Sequence, residues 1–559
     1  MGRGEDFAVL RDDGADRDLT VLRGRFRLGE GGAHEGEVVF GDLRGVVTDH
    51  GGIVVGCAIR TVGGVRFASL GPVLPVGAGD AGWKPALRAV CALVRPRRYP
   101  ILRRAATPDP VRWLALVQGL RRELRLGDAL FVNIGTILAS AIFVVPAYVI
   151  ASTGSAGGAA LIWVGAGAMS LCGAFAIAEL AALYPHAGGE YVYLERAYHP
   201  LVGFLYGWSL FAVIQTASIA AVAVVFVEYG AEFVPLGPTA AKAAVVILIL
   251  GLSLWNCRSV RSSADTQNLT TIAKLVMAGA IVVLCVSWGD QSVETIATSR
   301  LPLEGSAAAR WGAAMVAALW AYDGWISITF VGGEVKNPQR FLPRAISLSL
   351  LLLIGIYLLL NFAYLKALPF AGFSGTETVA ADAAGLAGGP LGAQLVSLAV
   401  MVSCFAAANG FIFTGARVYY AMARDGAFLR SFARLSPGAV PRNATLVQGL
   451  WAAGIALTGT YDQLFTYVVV VSWLFYGLGS AAVFVLRWKQ PDLDRPYRAF
   501  GYPLLPAIFT VFSAVLLVNT LITDPRDALI GLGITAAGIP VYLYFKRQND
   551  GRPEPDDAL

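Results

Sequence analysis

The sequence predicts an all-α polytopic membrane protein with 12 transmembrane helices in a five-plus-five inverted repeat, helices 1 and 6 broken, and a non-membrane N-terminal extension. Three observations predict it. The 559 residues are 56% hydrophobic and 15% charged, where soluble chains carry about 25% charged residues. The apolar residues form runs of about 20, enough for a helix to cross a hydrocarbon core of roughly 30 Å. Short charged, Gly- or Pro-containing loops separate the runs, without the dyad alternation of barrel strands. Finally, Trp320-Ala-Tyr-Asp-Gly-Trp325 sets an ionisable carboxylate, Asp323, and a helix-weakening Gly324 inside one run. A charge there is costly and marks a solute pathway or a buried structural pair.

Residues 1 to about 110 are rich in Arg and Gly and hold neither a 20-residue apolar segment nor a clear signal peptide, so they are expected outside the bilayer. Val-rich runs at 51–56 and 65–70 suit strands of a small β-containing domain. A poorly ordered extension, or coding sequence upstream of the true start, fits the composition as well. Interleaved Leu and Arg over 114–125 suit an interfacial stretch leading into the first span. The membrane domain is expected over 111–548, with 549–559 as a cytoplasmic tail.

The twelve segments lie near 127–151, 157–183, 202–229, 239–257, 267–288, 309–332, 345–367, 393–422, 443–459, 464–487, 502–521 and 527–545. The first carries Gly135-Thr-Ile-Leu-Ala-Ser-Ala-Ile-Phe143, with small and hydroxyl residues clustered around Ser140. The sixth carries the Asp323–Gly324 interruption. Small residues alone would also suit close helix packing, but interruptions five helices apart are what two inverted repeats predict. A half-helix starting near Ser140 would expose unpaired N–H groups, suited to a carboxylate; one ending near Trp320 to Tyr322 would expose C=O groups, suited to an ammonium. One cavity with both ends complements a zwitterionic α-amino acid.

Lys and Arg concentrate in alternate loops: Arg122, Arg125, Arg196, Arg258, Arg261, Lys336, Arg340, Arg344, Arg424, Arg430, Arg434, Arg487, Arg495 and Arg498, against Lys242, Arg300, Arg310, Lys366 and Arg526 on the other side. Both ends of the membrane domain are therefore expected in the cytoplasm, in a multi-pass protein of the cytoplasmic membrane. The net charge of +6 belongs to that topology and not to nucleic-acid binding. Six scattered Cys, among them Cys172, Cys257, Cys285 and Cys404, read as small apolar residues. Four His, His34, His50, His186 and His199, leave no zinc cluster or His-based triad within the spans. No Gly-rich phosphate loop followed by Lys-Ser or Lys-Thr is present, so ATP-driven transport is not expected; neither a metal nor another cofactor is expected.

The chain resembles the amino acid, polyamine and organocation transporter superfamily, and within it the L-type amino acid transporters and their bacterial relatives. Beyond the two interruptions, the resemblance rests on Ala178-Glu-Leu180 before Gly188-Gly-Glu-Tyr-Val-Tyr193, Glu334-Val-Lys-Asn-Pro-Gln-Arg340 with Leu342-Pro-Arg344, and Ala408-Asn-Gly410 leading to Gly415–Gly426 over residues 126–490. It implies a LeuT-like fold of ten core and two peripheral helices working by alternating access. It also implies that backbone groups of Ile137, Ala139, Ser140 and Ala141 hold the substrate carboxylate, and those of Trp320, Ala321 and Asp323, beside Gly324, the amino group. Trp320 would be the gate. Lys274 matches a lysine standing where sodium-coupled members hold sodium, which implies a coupling role with protons; a lysine snorkelling to the cytoplasmic interface is the alternative. The usual Gly-Ser-Gly of the first break is here Ala139-Ser140-Ala141, so a tighter carboxylate site is expected.

Glu179 is expected near the cytoplasmic end of the second helix. Gln215, Ser218 and Asn409 are candidates for pocket lining or interhelical hydrogen bonds. The stretches 188–196 and 336–344 suit cytoplasmic gate contacts or solvated loops. The expected function is a permease without enzymatic activity that moves neutral L-amino acids by uniport, exchange or proton symport. Cationic amino acids, polyamines or a transporter-like nutrient sensor are the alternatives. Its partners would be the amino acid substrate, protons and the lipid bilayer.

Overall fold

The computed structural model describes residues 22–27, 40–47, 52–61, 64–75, 120–303, 305–376, 378–458, 461–523 and 525–549. Two units, Met1–Pro108 and Asp109–Leu559, divide the chain. Four strands are described in the first: β1 (Leu22–Arg27), β2 (Phe40–Val47), β3 (Gly52–Thr61) and β4 (Gly64–Pro75). They form an antiparallel meander in the order β1-β2-β3-β4. The run at 65–70 lies on β4 and all but residue 51 of the other on β3. The expected tail from 550 onward and the stretch 114–119 fall outside the described residues.

The second unit is helical. Its helices are α1 (Leu126–Ile137), α2 (Val145–Thr153), α3 (Ala156–Leu183) and α4 (Glu190–Ala197), then α5 (Pro200–Gly230), which contains a π turn at Leu210–Ile214. They continue as α6 (Pro238–Asn256), α7 (Val260–Trp288), α8 (Val293–Thr298), α9 (Ala307–Ala321), α10 (Ser327–Phe330) and α11 (Pro338–Ala367). The last are α12 (Val379–Arg424), kinked at Gly389, α13 (Arg442–Thr458), α14 (Tyr461–Lys489), α15 (Leu504–Thr523), α16 (Pro525–Ala536) and α17 (Gly538–Asn549).

Among the described residues, nine helical spans are long and apolar enough to cross a membrane. The predicted segments at 127–151 and 309–332 are each split in two, and α13 is only 17 residues long. The sequence-predicted starts at 267, 345 and 393 are corrected to Val260, Pro338 and Val379. The reason is visible in α7. Ser259 caps it by accepting from Ser262 N at 3.1 Å, and polar residues of its first turns, Ser263 and Gln267, are buried against neighbouring helices. An apolar window cannot see such turns.

Small residues let the inner helices approach closely. At Gly135 a Cβ would collide with the Gln267 side chain, so α1 lies with its backbone against α7. Outward faces carry Ile247, Leu269, Val276, Val283 and Val511 exposed, the surface expected where acyl chains are the solvent.

Candidate functional site

The first interruption is present, and a buried cation stands at it. Helix α1 stops at Ile137, and Leu138 leaves helical geometry at φ −74°, ψ 79°. Its last carbonyls lose the amides of the missing turn. Lys274 supplies the substitute: Nζ donates to Gly135 O at 3.0 Å, Leu138 O at 2.6 Å and Ser403 O at 3.3 Å. A cation at the negative end of a helix is the favourable sign. Lys274 is 1% exposed and lies about 21 Å along α7 from Val260 at roughly 1.5 Å per residue. That depth corrects the snorkelling alternative.

The chain then makes a 3-10 turn at Ala141–Phe143 before α2 begins. Phe143 N donates to Ser140 O and Val144 N to Ala141 O. The amides of Ser140, Ala141 and Ile142 donate to no backbone carbonyl among the described hydrogen bonds. The free amides thus lie where the sequence places the break, while α2 itself begins only at Val145.

The second interruption follows α9. Asp323 N donates to Trp320 O at 3.0 Å, and Gly324 takes φ +98°. The Ala321 carbonyl, expected to face a ligand, instead accepts the Tyr357 hydroxyl at 2.7 Å, with Ile137 O at 3.4 Å from the same phenol. Thr136 Oγ1 donates to Gly324 O at 3.3 Å. The two broken helices are therefore tied to each other. A Cβ on Gly324 would lie 3.2 Å from Thr136 O, and the positive φ adds about 1–2 kcal/mol for alanine. Gly324→Ala should lower the thermal midpoint of the purified protein, whereas Gly355→Ala, with nothing within 4 Å, should not; equal midpoints would contradict this account.

Between the breaks lies a cavity of about 360 Å³. Thr136, Ile137, Ala139, Ser140 and Ala141 line it from the first break, Trp320 and Asp323 from the second. Ala217, Ser218, Ala220 and Ala221 of α5, Phe411 of α12 and Val468 of α14 complete the wall. It continues past Val227 to Glu228 and Lys242, both exposed, where α5 gives way to α6. Of the predicted site residues, Ala321 and Gly324 stand behind the wall, and Lys274 behind the first break. The Asp323 carboxylate accepts the Tyr476 hydroxyl at 2.7 Å.

The end bearing the arginine-rich loops is closed. Arg417 of α12 donates Nη2 to Glu334 Oε1 at 3.0 Å, both side chains 0% exposed. Glu179 of α3 accepts Arg487 Nη2 at 2.6 Å and Nε at 2.9 Å, and Ala499 N at 2.6 Å. It is a structural hub. In α4, Glu190, Tyr191 and Tyr193 are buried, and Tyr191 donates to Asp425 Oδ2 at 2.9 Å, so stretch 188–196 is no solvated loop. Burial, then the Asp425 carboxylate, lifts Glu195 to about 7.

Gln215 Nε2 donates to Phe411 O at 2.7 Å. Asn409 bridges Gln267 and Asn256 at 2.7 and 2.9 Å, so both make the interhelical bonds expected of them. Ser218 bonds within its own helix, to Ile214 O, and also lines the cavity. Thr136, Tyr357 and Tyr476 were not legible, since a hydroxyl inside an apolar run reads as core.

Residues 124–542 match the family described as Amino acid permease. The chain is 33% identical over 434 residues to the serine/threonine exchanger SteT of Bacillus subtilis (strain 168), covering 77% of this chain and 98% of that one. It is 32% identical over 440 residues to the b(0,+)-type amino acid transporter 1 of Homo sapiens, covering 76% and 88%. It is also 32% identical over 438 residues to the large neutral amino acids transporter small subunit 2 of Rattus norvegicus, covering 76% and 80%.

Proposed function

The chain belongs to the amino acid permease family, and from that membership we propose a secondary transporter that carries a neutral L-amino acid across the cytoplasmic membrane by alternating access. One observation carries this reading: a single cavity is lined on one side by Ser140 and Ala141, whose amides donate to no backbone carbonyl among the described hydrogen bonds, and on the other by Trp320 and Asp323, where α9 ends. The first suits an α-carboxylate and the second an α-ammonium. The alanine-rich wall, with Phe411 and Val468, supports an uncharged side chain.

The proposed topology has twelve spans in a five-plus-five repeat, with α1–α2 as the first and α9–α10 as the sixth. Arginine-rich loops on the cytoplasmic side put both ends of the membrane domain there. The mouth beside Glu228 and Lys242 would then face outward, and Glu334–Arg417 would seal the inner side. Trp320, part of the wall, acts as the gate over the substrate. Lys274 holds the place of a coupling cation, by exchange or proton symport. The relative named as a serine/threonine exchanger favours exchange.

Uptake of L-serine, L-leucine and L-arginine into proteoliposomes, with and without internal amino acid and with and without a pH gradient, tests this. Uptake of none by well-folded protein would overturn it. Asp323 on the cavity wall favours a second reading, in which a cationic side chain is accepted. Asp323→Asn should then depress L-arginine uptake several-fold more than L-leucine uptake. Equal losses would remove the selectivity role and leave the Tyr476 contact as a structural one.

A further inference from the structure

Glu190 is a buried carboxylate to which the transport reading above gives no task. It opens α4 and is 0% exposed, and neither carboxylate oxygen has a well-formed hydrogen bond. The first-turn amides that would otherwise receive it are occupied: Tyr191 N bonds Gly188 O, and Val192 N and Tyr193 N bond Gly189 O. A Cβ on Gly479 of α14 would collide with Oε1, so the carboxyl lies flat against that helix, beside Ile177 of α3.

The groups facing it offer no positive charge. From α5 comes the Tyr206 phenol, from α14 Tyr476, from α4 itself Tyr193, and from the second break Asp323. Glu179 of α3 is held by Arg487, and the neighbouring residue of α10, Thr329, does not titrate. An ionised carboxylate buried without counter-charge, with only the Tyr206 phenol near enough to donate to it, is among the most expensive groups a protein can bury. A neutral carboxyl removes that cost.

We infer that Glu190 is a proton-binding site, occupied while α4 is packed on Gly479 and emptied toward the arginine-rich face when α4 moves away. This rests on the transporter reading and adds to it a proton carrier separate from Lys274. Burial lifts this carboxyl well above the usual carboxylate range; Tyr206 opposes that and Asp323 adds to it.

Position gives the site its use. Gly479 is three residues from Tyr476, one helical turn along α14, and Tyr476 donates to Asp323 on the cavity wall. The proton site therefore borders both the substrate cavity and the closed gate. A change at Asp323 when substrate binds reaches Glu190 through one helix turn.

Infrared spectroscopy of the full chain in lipid tests this without any transport. In neutral buffer the wild type should show a protonated-carboxyl band that Glu190→Gln loses and that Glu195→Gln and Asp323→Asn both keep. Its persistence in Glu190→Gln, or its absence from the wild type, overturns the proposal. In vesicles, Glu190→Gln should exchange L-serine at close to the wild-type rate in acid, while losing the decline seen when the compartment at the arginine-rich face is made alkaline. Glu195→Gln, which removes the other titrating acid of α4, should keep that decline. An unchanged pH profile in Glu190→Gln overturns the coupling role. If no amino acid is transported at all the transporter reading fails, while the infrared result still decides the proton site.

Discussion

Lys274→Met should abolish accumulation of amino acid driven by a pH gradient and lower the thermal stability of the protein, while part of the substrate exchange persists. The two effects have different origins. Methionine matches the length of the stem but removes the donor for Gly135 O, Leu138 O and Ser403 O. Hydrogen bonds to charged groups contribute about 1.5–3 kcal/mol each and are not additive, so a loss of about 3–5 kcal/mol in total is expected. The α1 carbonyls would then end in a dry interior with no partner.

The coupling effect follows from charge. On the proposed reading an ammonium at the negative end of α1 takes the electrostatic place of a bound cation, so its removal would leave that site without its positive charge in either conformation. Lys274→Arg separates the two effects. The charge stays, but a guanidinium must fit a pocket shaped for a point charge, so stability should return in part and coupling should not. Thermal inactivation and gradient-driven uptake, measured side by side on the three proteins, check this. Wild-type accumulation by Lys274→Met would remove the coupling role, and an unchanged midpoint would remove the helix-capping role.

Much of this architecture was legible in the sequence because lipid imposes simple rules. A span needs about 20 apolar residues, so the predicted segments fall largely on helix among the described residues. A charge beside glycine in such a run is rare enough to mark the second break, and Ala139-Ser140-Ala141 marked the first less sharply. What stayed hidden was whatever depends on two distant segments meeting. Tyr357 ties Ala321 and Tyr476 holds Asp323, yet each reads as another aromatic in an apolar stretch. Glu190 was visible only as part of a loop motif, since sequence spacing cannot tell that the loop folds into α4 and that Gly479 covers the carboxyl. The snorkelling alternative for Lys274 fails because the polar first turns of α7 bury against neighbouring helices and not in water.

A stability effect of similar size is expected at the closed end. Arg417→Met would leave the Glu334 carboxylate 0% exposed with its guanidinium partner removed, and breaking such a pair from one side costs about 3–5 kcal/mol. The double variant Arg417→Met, Glu334→Gln should recover most of that, because no charge is then stranded. Thermal midpoints of the two single variants and the double close a mutant cycle. A midpoint for Arg417→Met within a degree or two of the wild type would exclude a tightly coupled pair. The asymmetry explains why a gate would use charges. A buried ion pair roughly breaks even against hydration of its separated members, so it can seal this end when dry and come apart when water enters. An apolar plug of the same size would lose about 25 cal/mol for every Å² exposed on opening. The pair thus gives strong discrimination against half-made contacts with little net preference for the closed state, and the double variant should bias the protein toward conformations that the wild type visits only in turn.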